Sequence, residues 1–322
     1  MKALKVIGII LAIIVVGVIG AGTYVKTALP DTGPAPDLKI EATADRVERG
    51  RYLANHVAVC MDCHSTRNWQ LYAGPMAVGN TGGGGETFNK EMGFPGNFYA
   101  PNITPYALGS WTDGELFRAI TTGVNKGGRA LFPVMSYHRF GRMDKDDIYS
   151  IIAYLRTLQP VKKDVPLSEA DFPVSILINT MPKPAAFTSL PPETDHIKYG
   201  EYLINASGCV DCHSKTDKGK VIAGTEFGGG MEFRQPAGVM RAPNITFDET
   251  GLASWTKDAF VQRFKRYADS SYVPATMGPG DINTPMPWMM FAGMKSSDLE
   301  AIYDYLRSLK PIKNEVKRFD KI

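Results

Sequence analysis

Cys60-Met61-Asp62-Cys63-His64 and Cys209-Val210-Asp211-Cys212-His213 are two copies of one pattern, and together they hold all four cysteines of the chain. Two thiols at this spacing can form thioethers with the vinyl groups of one porphyrin, and the adjacent histidine then lies beneath the iron as an axial ligand. The sequence therefore predicts two covalently bound haem c groups. The predicted attachment residues are Cys60, Cys63, Cys209 and Cys212, and the predicted iron ligands are His64 and His213.

Cysteines with this spacing have other uses. In an exported protein they form disulfides, and elsewhere they form redox dithiols or one half of a zinc site. None of these alternatives explains why a histidine follows both pairs directly, whereas haem attachment explains every element of the pattern. Haem attachment is the favoured interpretation.

The charge of the chain argues against one class of partner. The 322 residues include 36 basic and 33 acidic side chains, for a formal net charge of +3. Three of the cations (Lys2, Lys5 and Lys26) lie in the first 26 residues, which contain no acidic residue. The remainder is neutral, so no general affinity for nucleic acid is expected.

An uncharged run from Val6 to Val25 lies between two of these lysines. Its length matches the roughly 20 residues that a helix needs to cross a bilayer, so residues 1–26 are predicted to be a membrane anchor. The lysines before the run keep the N-terminus in the cytoplasm by the positive-inside rule, which exports the rest of the chain. The alternative is a cleaved secretory signal, because the small residues of 19–22 resemble a cleavage site.

The two motifs belong to a longer internal repeat. Four further segments recur in the same order: 50–53 with 200–203, 100–104 with 242–246, 110–112 with 254–256, and 154–156 with 305–307. The repeat predicts two domains, over residues 45–160 and 193–312. Proline-containing sequence predicts a stalk over 27–44 and an extended connector over 161–192. The remaining residues 313–322 are predicted to form a C-terminal tail.

Helical periodicity dominates both repeats. Apolar residues recur at helical spacing in 148–155 and again in 299–306, where Ser297 and Glu300 form a capping-box signature. No alternating strand pattern is found, so the fold class is predicted to be mainly α. Gly50 and Gly200 are expected to let the first helix of each domain cross the last one closely, at Tyr154 and Tyr305.

The second axial ligand is predicted by aligning the repeats. An offset of 151 residues places Met135 on Met286 and Met143 on Met294. Met135 and Met286 both lie in proline-containing loops before the last helix, so they are predicted to be the iron ligands. Met143 and Met294 are expected to pack in the core.

The histidines outside the motifs offer one competitor. His138 lies three residues after the first predicted methionine ligand, but the second repeat has Met289 at the aligned position. His56 and His196 have no counterpart in the other repeat and are expected to be surface or hydrogen-bonded polar residues.

Three residue types at matching positions are predicted to surround the haems. A proline carbonyl is expected to accept the second N–H of each axial imidazole. A tryptophan either donates to a haem propionate or packs as core. An asparagine makes a turn or a propionate contact. The residues are Pro101, Trp111 and Asn102 in the first repeat and Pro243, Trp255 and Asn244 in the second.

Over residues 45–312 the chain resembles the membrane-anchored multihaem cytochrome c subunits of bacterial membrane-bound dehydrogenases for alcohols, aldehydes and gluconate. The likeness rests on the two haem motifs, the repeated Pro-Asn-Ile-Thr and Ser-Trp-Thr, and the segments 132–135 and 286–288. Those subunits typically carry three haem motifs, and this chain has two. The resemblance implies two tandem cytochrome c domains behind one transmembrane helix, and it points to the same two methionines as ligands.

The expected function is single-electron transfer at the outer face of a bacterial inner membrane. The donor would be a membrane-bound or periplasmic dehydrogenase or a respiratory complex, and the acceptor a terminal oxidase or another cytochrome. The alternative is a dihaem, peroxidase-like enzyme with one openable haem. A methionine in matching register in both repeats favours the electron carrier. A haem-based gas sensor would need a signalling domain, for which no residues remain.

Overall fold

The N-terminal run forms the longest helix, α1 (Lys2–Thr27). The computed structural model describes residues 1–321. Helix α1 has 26 residues. An 18-residue window within it has a mean hydropathy of 2.8, and no residue of this window is buried against the protein. Its length and composition fit a membrane anchor.

The first repeat is built from α2 (Ala44–Tyr52), which continues as a π-helical turn over Leu53–Val57, followed by five helices. These five are α3 (Cys60–Cys63), α4 (Pro105–Leu108), α5 (Asp113–Thr122), α6 (Tyr137–Phe140) and α7 (Lys145–Thr157). After α8 (Val174–Leu177), the second repeat holds α9 (His196–Ala206), α10 (Cys209–Cys212), α11 (Lys257–Lys265), α12 (Trp288–Phe291) and α13 (Ser296–Ser308).

The first and last helices of each repeat cross closely, as predicted from two glycines. A Cβ added at Gly50 would lie 1.8 Å from the carbonyl oxygen of Ser150 on α7. A Cβ added at Gly200 would lie 2.1 Å from the carbonyl oxygen of Ala301 on α13. No side chain fits at either crossing, so the prediction of a close helix approach is confirmed.

Short strands join the helices, and the sequence analysis did not predict them. Helices hold 39% of the chain. In the first repeat β1 (Thr87–Phe88), β2 (Gly96–Tyr99) and β3 (Glu169–Ala170) form an antiparallel sheet in that order. In the second, β4 (Thr216–Asp217) pairs with β5 (Lys220–Val221), and β6 (Glu232–Gln235), β7 (Gly238–Arg241) and β8 (Phe319–Lys321) form another sheet. Strands of two to four residues are too short to produce an alternating pattern.

Two of these strands lie outside the predicted domain limits. Strand β3 falls in the predicted connector, where Ala170 pairs with Gly96. Strand β8 falls in the predicted tail, where Lys321 pairs with Gly238. Each repeat therefore continues past its last helix and returns a strand to its own sheet.

The predicted stalk packs along the first repeat and does not stand free. The backbone N–H of Ile40 donates to Asp113 Oδ2 at 2.9 Å, and Leu38 and Ile40 pack against the core. A Cβ at Gly114 would lie 1.7 Å from the carbonyl oxygen of Pro36, so this segment follows α5 closely. Leu38 and Ile40 are partly buried against the first repeat, and the stalk role of residues 27–44 stays a prediction.

The two repeats meet through a reciprocal pair of buried hydrogen bonds. The Tyr52 hydroxyl donates to Asp298 Oδ2 at 2.5 Å, and the Tyr202 hydroxyl donates to Asp147 Oδ2 at 2.6 Å. Each tyrosine precedes a haem motif, and each aspartate lies in the first turn of the other repeat's last helix. Desolvation raises the pKa of both tyrosines well above the usual range, so the hydroxyls keep their protons.

The start of α13 corrects a local prediction. The helix begins at Ser296 with Lys295 as N-cap and no side-chain cap, so the capping box predicted from Ser297 and Glu300 is wrong. The Tyr52 hydroxyl accepts the backbone N–H of Lys295 at 2.9 Å. The Tyr202 hydroxyl accepts the N–H of Asp144, the N-cap of α7, in the same way at 3.1 Å.

Candidate haem-attachment sites

Each cysteine pair lies on a single helical turn. Helix α3 follows Val59 at φ 44°, and α10 follows Gly208 at φ 67°, so a left-handed residue turns the chain into both motifs. The backbone N–H of His64 donates to the carbonyl of Cys60 at 3.0 Å, and the same bond in the second repeat measures 2.9 Å. Two thiols and one imidazole are therefore held together on one turn in each repeat.

The two histidines make equivalent hydrogen bonds. Nδ1 of His64 lies 2.8 Å from the carbonyl oxygen of Pro101, and Nδ1 of His213 lies 2.9 Å from that of Pro243. These are the carbonyls that the sequence analysis named. Desolvation lowers the pKa of both histidines, which favours the neutral imidazole that a metal ligand needs. With Nδ1–H donated to a carbonyl, Nε2 is left to coordinate.

Glycine tracts hydrogen-bond the backbone of each motif histidine and pack against the segment that follows each proline, a role that the sequence analysis did not assign to them. The backbone N–H groups of Gly84 and Gly229 each donate to the carbonyl of the motif histidine at 2.8 Å. A Cβ at Gly84 would lie 2.6 Å from the backbone nitrogen of Asn102, and one at Gly229 would lie 2.4 Å from that of Asn244. Both glycines have positive φ. Their recurrence at one place in both repeats was the signal available in the sequence.

The two asparagines have a structural role. Each side-chain oxygen accepts two bonds from the threonine two residues later, and each side-chain nitrogen donates to two protein oxygens further along the chain. The side-chain oxygen and nitrogen of Asn102 and Asn244 are thus satisfied within the protein. Of the two predicted roles, the structure shows the turn, and neither side chain has a free donor for a propionate.

The two tryptophans pack partly buried against the core. The carbonyl of Trp111 accepts from Arg156 Nη2 at 2.6 Å, and that of Trp255 accepts from the Tyr303 hydroxyl at 2.9 Å. Trp255 also lines an open cavity of about 620 Å³ together with Arg263 and others. Both indoles are partly buried against the core, and a bond from either indole to a propionate stays a prediction.

The aligned methionines occupy the same backbone turn. The carbonyl of Met135 accepts the N–H of Tyr137 at 2.7 Å, and that of Met286 accepts the N–H of Trp288 at 2.8 Å. Both side chains are half-buried and pack against the core, and a one-turn helix follows each directly.

The other methionines and histidines that the sequence analysis considered have the following surroundings. Met143 and Met294 are 0% and 1% exposed in the core, as expected. His138 is exposed. His56 Nδ1 donates to the carbonyl of Met290 at 2.9 Å, and His196 Nδ1 lies 2.8 Å from Asp304, so both are hydrogen-bonded polar residues as expected.

The burial of the four thiols argues against a redox dithiol. All four cysteines are free. Desolvation raises the pKa of Cys60, Cys63 and Cys209 to about 12 and that of Cys212 to about 11. Reactive dithiols have lowered values, so these thiols stay protonated at neutral pH. Within residues 1–321 no group of three or more His, Cys, Asp or Glu side chains is placed to hold a metal ion directly.

A buried polar atom also points to a missing group. The Tyr137 hydroxyl is buried and has no hydrogen-bond partner in the described part of the chain. An unsatisfied buried hydroxyl is costly, and this one lies two residues after Met135. With its imidazole nitrogens, thioether sulfurs and free thiols, the donor set fits haem c.

Each motif contains an aspartate that pairs with one arginine, a feature that the sequence analysis missed. Asp62 Oδ2 lies 2.8 Å from Arg67 Nη1, which comes from the same repeat. Asp211 makes a two-pronged ion pair with Arg139, which comes from α6 of the other repeat. Desolvation raises the pKa of Asp62 to about 6 although Arg67 opposes it.

Comparison with known proteins agrees with this geometry. Residues 197–310 match the family model of cytochrome c, so the second repeat contains a cytochrome c domain that implies covalently bound haem c. The chain is 28% identical to the cytochrome c subunit of the quinone alcohol dehydrogenase of Gluconacetobacter polyoxogenes, over 84% of this chain and 58% of that one. It is 27% identical to the cytochrome subunit of the fructose dehydrogenase of Gluconobacter japonicus, over 92% and 58%.

A third relative carries the number of haems in its name. The chain is 26% identical to a dihaem c-type cytochrome of Cereibacter sphaeroides, over 58% of this chain and 63% of that one. The chain spans less than two thirds of the length of each of these relatives. The resemblance to dehydrogenase cytochrome c subunits, inferred from the motifs, is confirmed.

Proposed function

We propose that this chain is a membrane-anchored cytochrome with two covalently bound haem c groups. It transfers single electrons from a membrane-bound or periplasmic dehydrogenase or a respiratory complex to a downstream acceptor, such as a terminal oxidase or another cytochrome. One observation carries the proposal: both repeats present the same donors in the same backbone setting. Each has a cysteine pair on one turn, a histidine bonded to a proline carbonyl and a methionine in a matching turn.

The residues have distinct tasks. The thiols attach the group, the proline carbonyls orient the imidazoles, and the methionine sulfurs fill the position that a substrate would need. When bound, haem supplies an iron that alternates between ferric and ferrous states, and a thioether ligand raises its potential. The proposed sets are Cys60, Cys63, His64 and Met135, and Cys209, Cys212, His213 and Met286.

We propose the following organisation. Residues 1–26 anchor the chain in a bacterial inner membrane, and the haem domains lie on its periplasmic face, an orientation supported by Lys2 and Lys5 before the apolar run. The predicted domains 45–160 and 193–312 are each extended by a returning strand, β3 or β8, which supports domain ends near residues 170 and 321.

The number of haems is tested by stoichiometry. A pyridine haemochrome assay on the purified full chain should find two c-type haems, and the protein mass should include two porphyrins that acid acetone does not extract. A single haem, or extractable haem, contradicts the proposal.

The methionine ligands are tested by volume-conserving substitutions. Met135→Leu and Met286→Leu should each open one haem to carbon monoxide and lower its potential on the order of 100 mV, within the range of roughly 0.8 V that axial ligands span. Met143→Leu is the control, because that residue is buried in the core, and it should change neither property. Carbon monoxide binding by one haem of the unaltered protein, with peroxide turnover, would support the peroxidase-like alternative instead.

The partner is tested in the native membrane. Deleting the gene should abolish oxygen uptake driven by the substrate of one membrane dehydrogenase, while reduction of an artificial acceptor by that dehydrogenase persists. This expectation follows from the names of the relatives, which are cytochrome subunits of dehydrogenases. Unchanged oxygen uptake on every dehydrogenase substrate would contradict the proposed donor.

A further inference from the structure

We propose that the segment Phe172–Met181, called here the juxtamembrane segment, inserts apolar side chains into the leaflet from which helix α1 emerges. This second membrane contact fixes the orientation of the haem domains relative to the bilayer. The inference rests on the proposed function only in requiring that α1 stays in the membrane.

The juxtamembrane segment contacts the end of the membrane helix. Helix α8 and the turn Ile178–Thr180 pack against α1, and Asn179 Nδ2 donates to the carbonyl oxygen of Val25 at 3.3 Å. Gly22 and Val25 are the only residues of α1 that are partly covered, and all its other residues are exposed. The contact is thus confined to the last turns of the anchor.

The position along α1 sets the depth of this contact. The uncharged run ends at Val25, and Lys26 follows. Twenty residues at 1.5 Å each span about 30 Å, which equals the thickness of the hydrocarbon core. A segment bonded to Val25 therefore lies where the helix leaves the hydrocarbon and enters the headgroup layer.

The surface of the segment suits that layer. Residues 172–181 contain no charged side chain. Phe172 is 80% exposed and Leu177 is 47% exposed, and Leu167 nearby is 74% exposed. Exposed apolar side chains beside the end of a membrane-spanning helix are placed to contact lipid, so the lipid is the occupant we infer.

The segment is firmly attached to the first repeat. Strand β3 ends at Ala170, next to the segment, and Asp171 makes an ion pair of 2.9 Å with Lys90. The packed residues 36–40 provide a further link between α1 and the same repeat. Anchoring at both α1 and the segment would therefore restrict rotation of the whole first repeat about the axis of α1.

The insertion is tested with brominated lipids, which quench tryptophan only on contact. The full chain carrying Phe172→Trp is reconstituted in phosphatidylcholine–phosphatidylglycerol vesicles with bromine on the acyl chains near the headgroups. Emission is compared with that in unbrominated vesicles, so quenching by haem cancels, and the signal of the four native tryptophans is subtracted. Val273→Trp is the matched control, because Val273 is 81% exposed in the second repeat.

We expect the emission lost to brominated lipid to be several-fold larger for Phe172→Trp than for Val273→Trp. Equal losses for the two variants would overturn the inference. The measurement does not depend on electron transfer, so the proposed redox function can fail while this result stands, and the reverse also holds. Release of the chain by carbonate washing would instead show that α1 is not retained, which would also overturn it.

The orienting effect is tested with Phe172→Asp/Leu177→Asp. Both residues are at least 47% exposed, so the chain should fold and α1 should keep it in the membrane. In stacked, oriented membranes the ferric haem signal in electron paramagnetic resonance should depend on sample angle for the unaltered protein and for Val273→Asp. In the double variant this angular dependence should be lost. An unchanged angular dependence would contradict the orienting role.

Discussion

The first haem motif is neutralised within its own repeat, whereas the second depends on the other repeat. Arg67 pairs with Asp62 and also donates to the carbonyls of Ala73 and Gly74 at 2.7 and 2.8 Å, so it organises a local loop. Arg139 reaches Asp211 across the domain boundary. The repeats share the backbone contacts that build the sites, but their side-chain ion pairs have diverged.

The buried aspartates at the interface show the same divergence. Asp147 receives the Tyr202 hydroxyl and two bonds from Arg49, at 2.8 and 2.9 Å. Asp298 receives the hydroxyls of Tyr52 and Tyr199, the second at 3.4 Å, and no ion pair with a basic side chain is found in the described residues. One carboxylate has an ionic partner and the other relies on hydroxyls, although they occupy equivalent positions.

The largest effect should come from the feature that the repeats share. Gly50→Ala and Gly200→Ala each force a Cβ to within about 2 Å of a backbone oxygen, at Ser150 or Ala301. Each should cost about 3 kcal/mol or more, at the upper end for overpacking. Chemical denaturation followed by circular dichroism measures the loss. Gly20→Ala in α1 is the control, because it has open space around its Cβ. A large loss in only one repeat would show that the helix crossings are not equivalent.

Substitution of the arginine that pairs with each motif aspartate should affect the two repeats differently. The side chains of Arg67 and Asp62 are 5% and 8% exposed, so Arg67→Gln strands a buried carboxylate and should cost about 3 kcal/mol or more. Asp211 is 35% exposed, so Arg139→Gln should cost only about 1 kcal/mol. Its distinctive effect should be a lower potential of the second haem, because Asp211 in that motif is left without its counter-ion.

Denaturation and a redox titration measure these two effects. In a double-mutant cycle, Arg139→Gln should shift the potential less in an Asp211→Asn background than alone. Equal shifts in both backgrounds would mean that Arg139 does not act through Asp211.

The tyrosines test the interface more finely. Tyr52→Phe leaves Asp298 with one weak hydroxyl partner and frees the N–H of Lys295, so it should cost about 2 kcal/mol. Tyr202→Phe likewise frees a backbone N–H, that of Asp144, but it leaves Asp147 paired with Arg49, so it should cost only about 1 kcal/mol. The measurement is the free energy of unfolding of each variant, compared with that of the unaltered protein. A larger cost for Tyr202→Phe would reverse the proposed ranking of the two aspartates.

The features that were predicted correctly are those that neighbouring residues or one recurring position determine. The motifs, the repeat and the helix crossing at Gly50 followed from residue spacing, because they depend on neighbours or on one recurring position. The strand β3 and the ion pair of Arg139 with Asp211 were not predictable, since each joins residues 72 or more positions apart and neither leaves a period in the sequence. The start of α13 was mispredicted for the same reason, because its N–H partner is Tyr52.

The smallest effect should be a pH dependence that one histidine adds to the interface. His56 donates to the carbonyl of Met290, and the second repeat has Ala206 at the aligned position. Desolvation lowers the pKa of His56, and Arg51 and Lys265 act in the same direction. The hydrogen bond to Met290 and the charge of Glu48 oppose this shift. The unfolded chain therefore takes up a proton before the folded chain does, so stability should fall as the pH drops below about 6.5.

His56→Gln keeps a donor for the same carbonyl but does not titrate. The free energy of unfolding is measured at about pH 7.5 and about pH 5.5, on either side of the ordinary histidine pKa of about 6.5. Its decrease between these two pH values should be smaller in this variant than in the unaltered protein. Above the ordinary histidine pKa the difference in unfolding free energy between the two proteins should not change with pH, which serves as the internal control. If the two proteins lose stability in parallel on acidification, the group that titrates lies elsewhere and the interface is not sensitive to pH through His56.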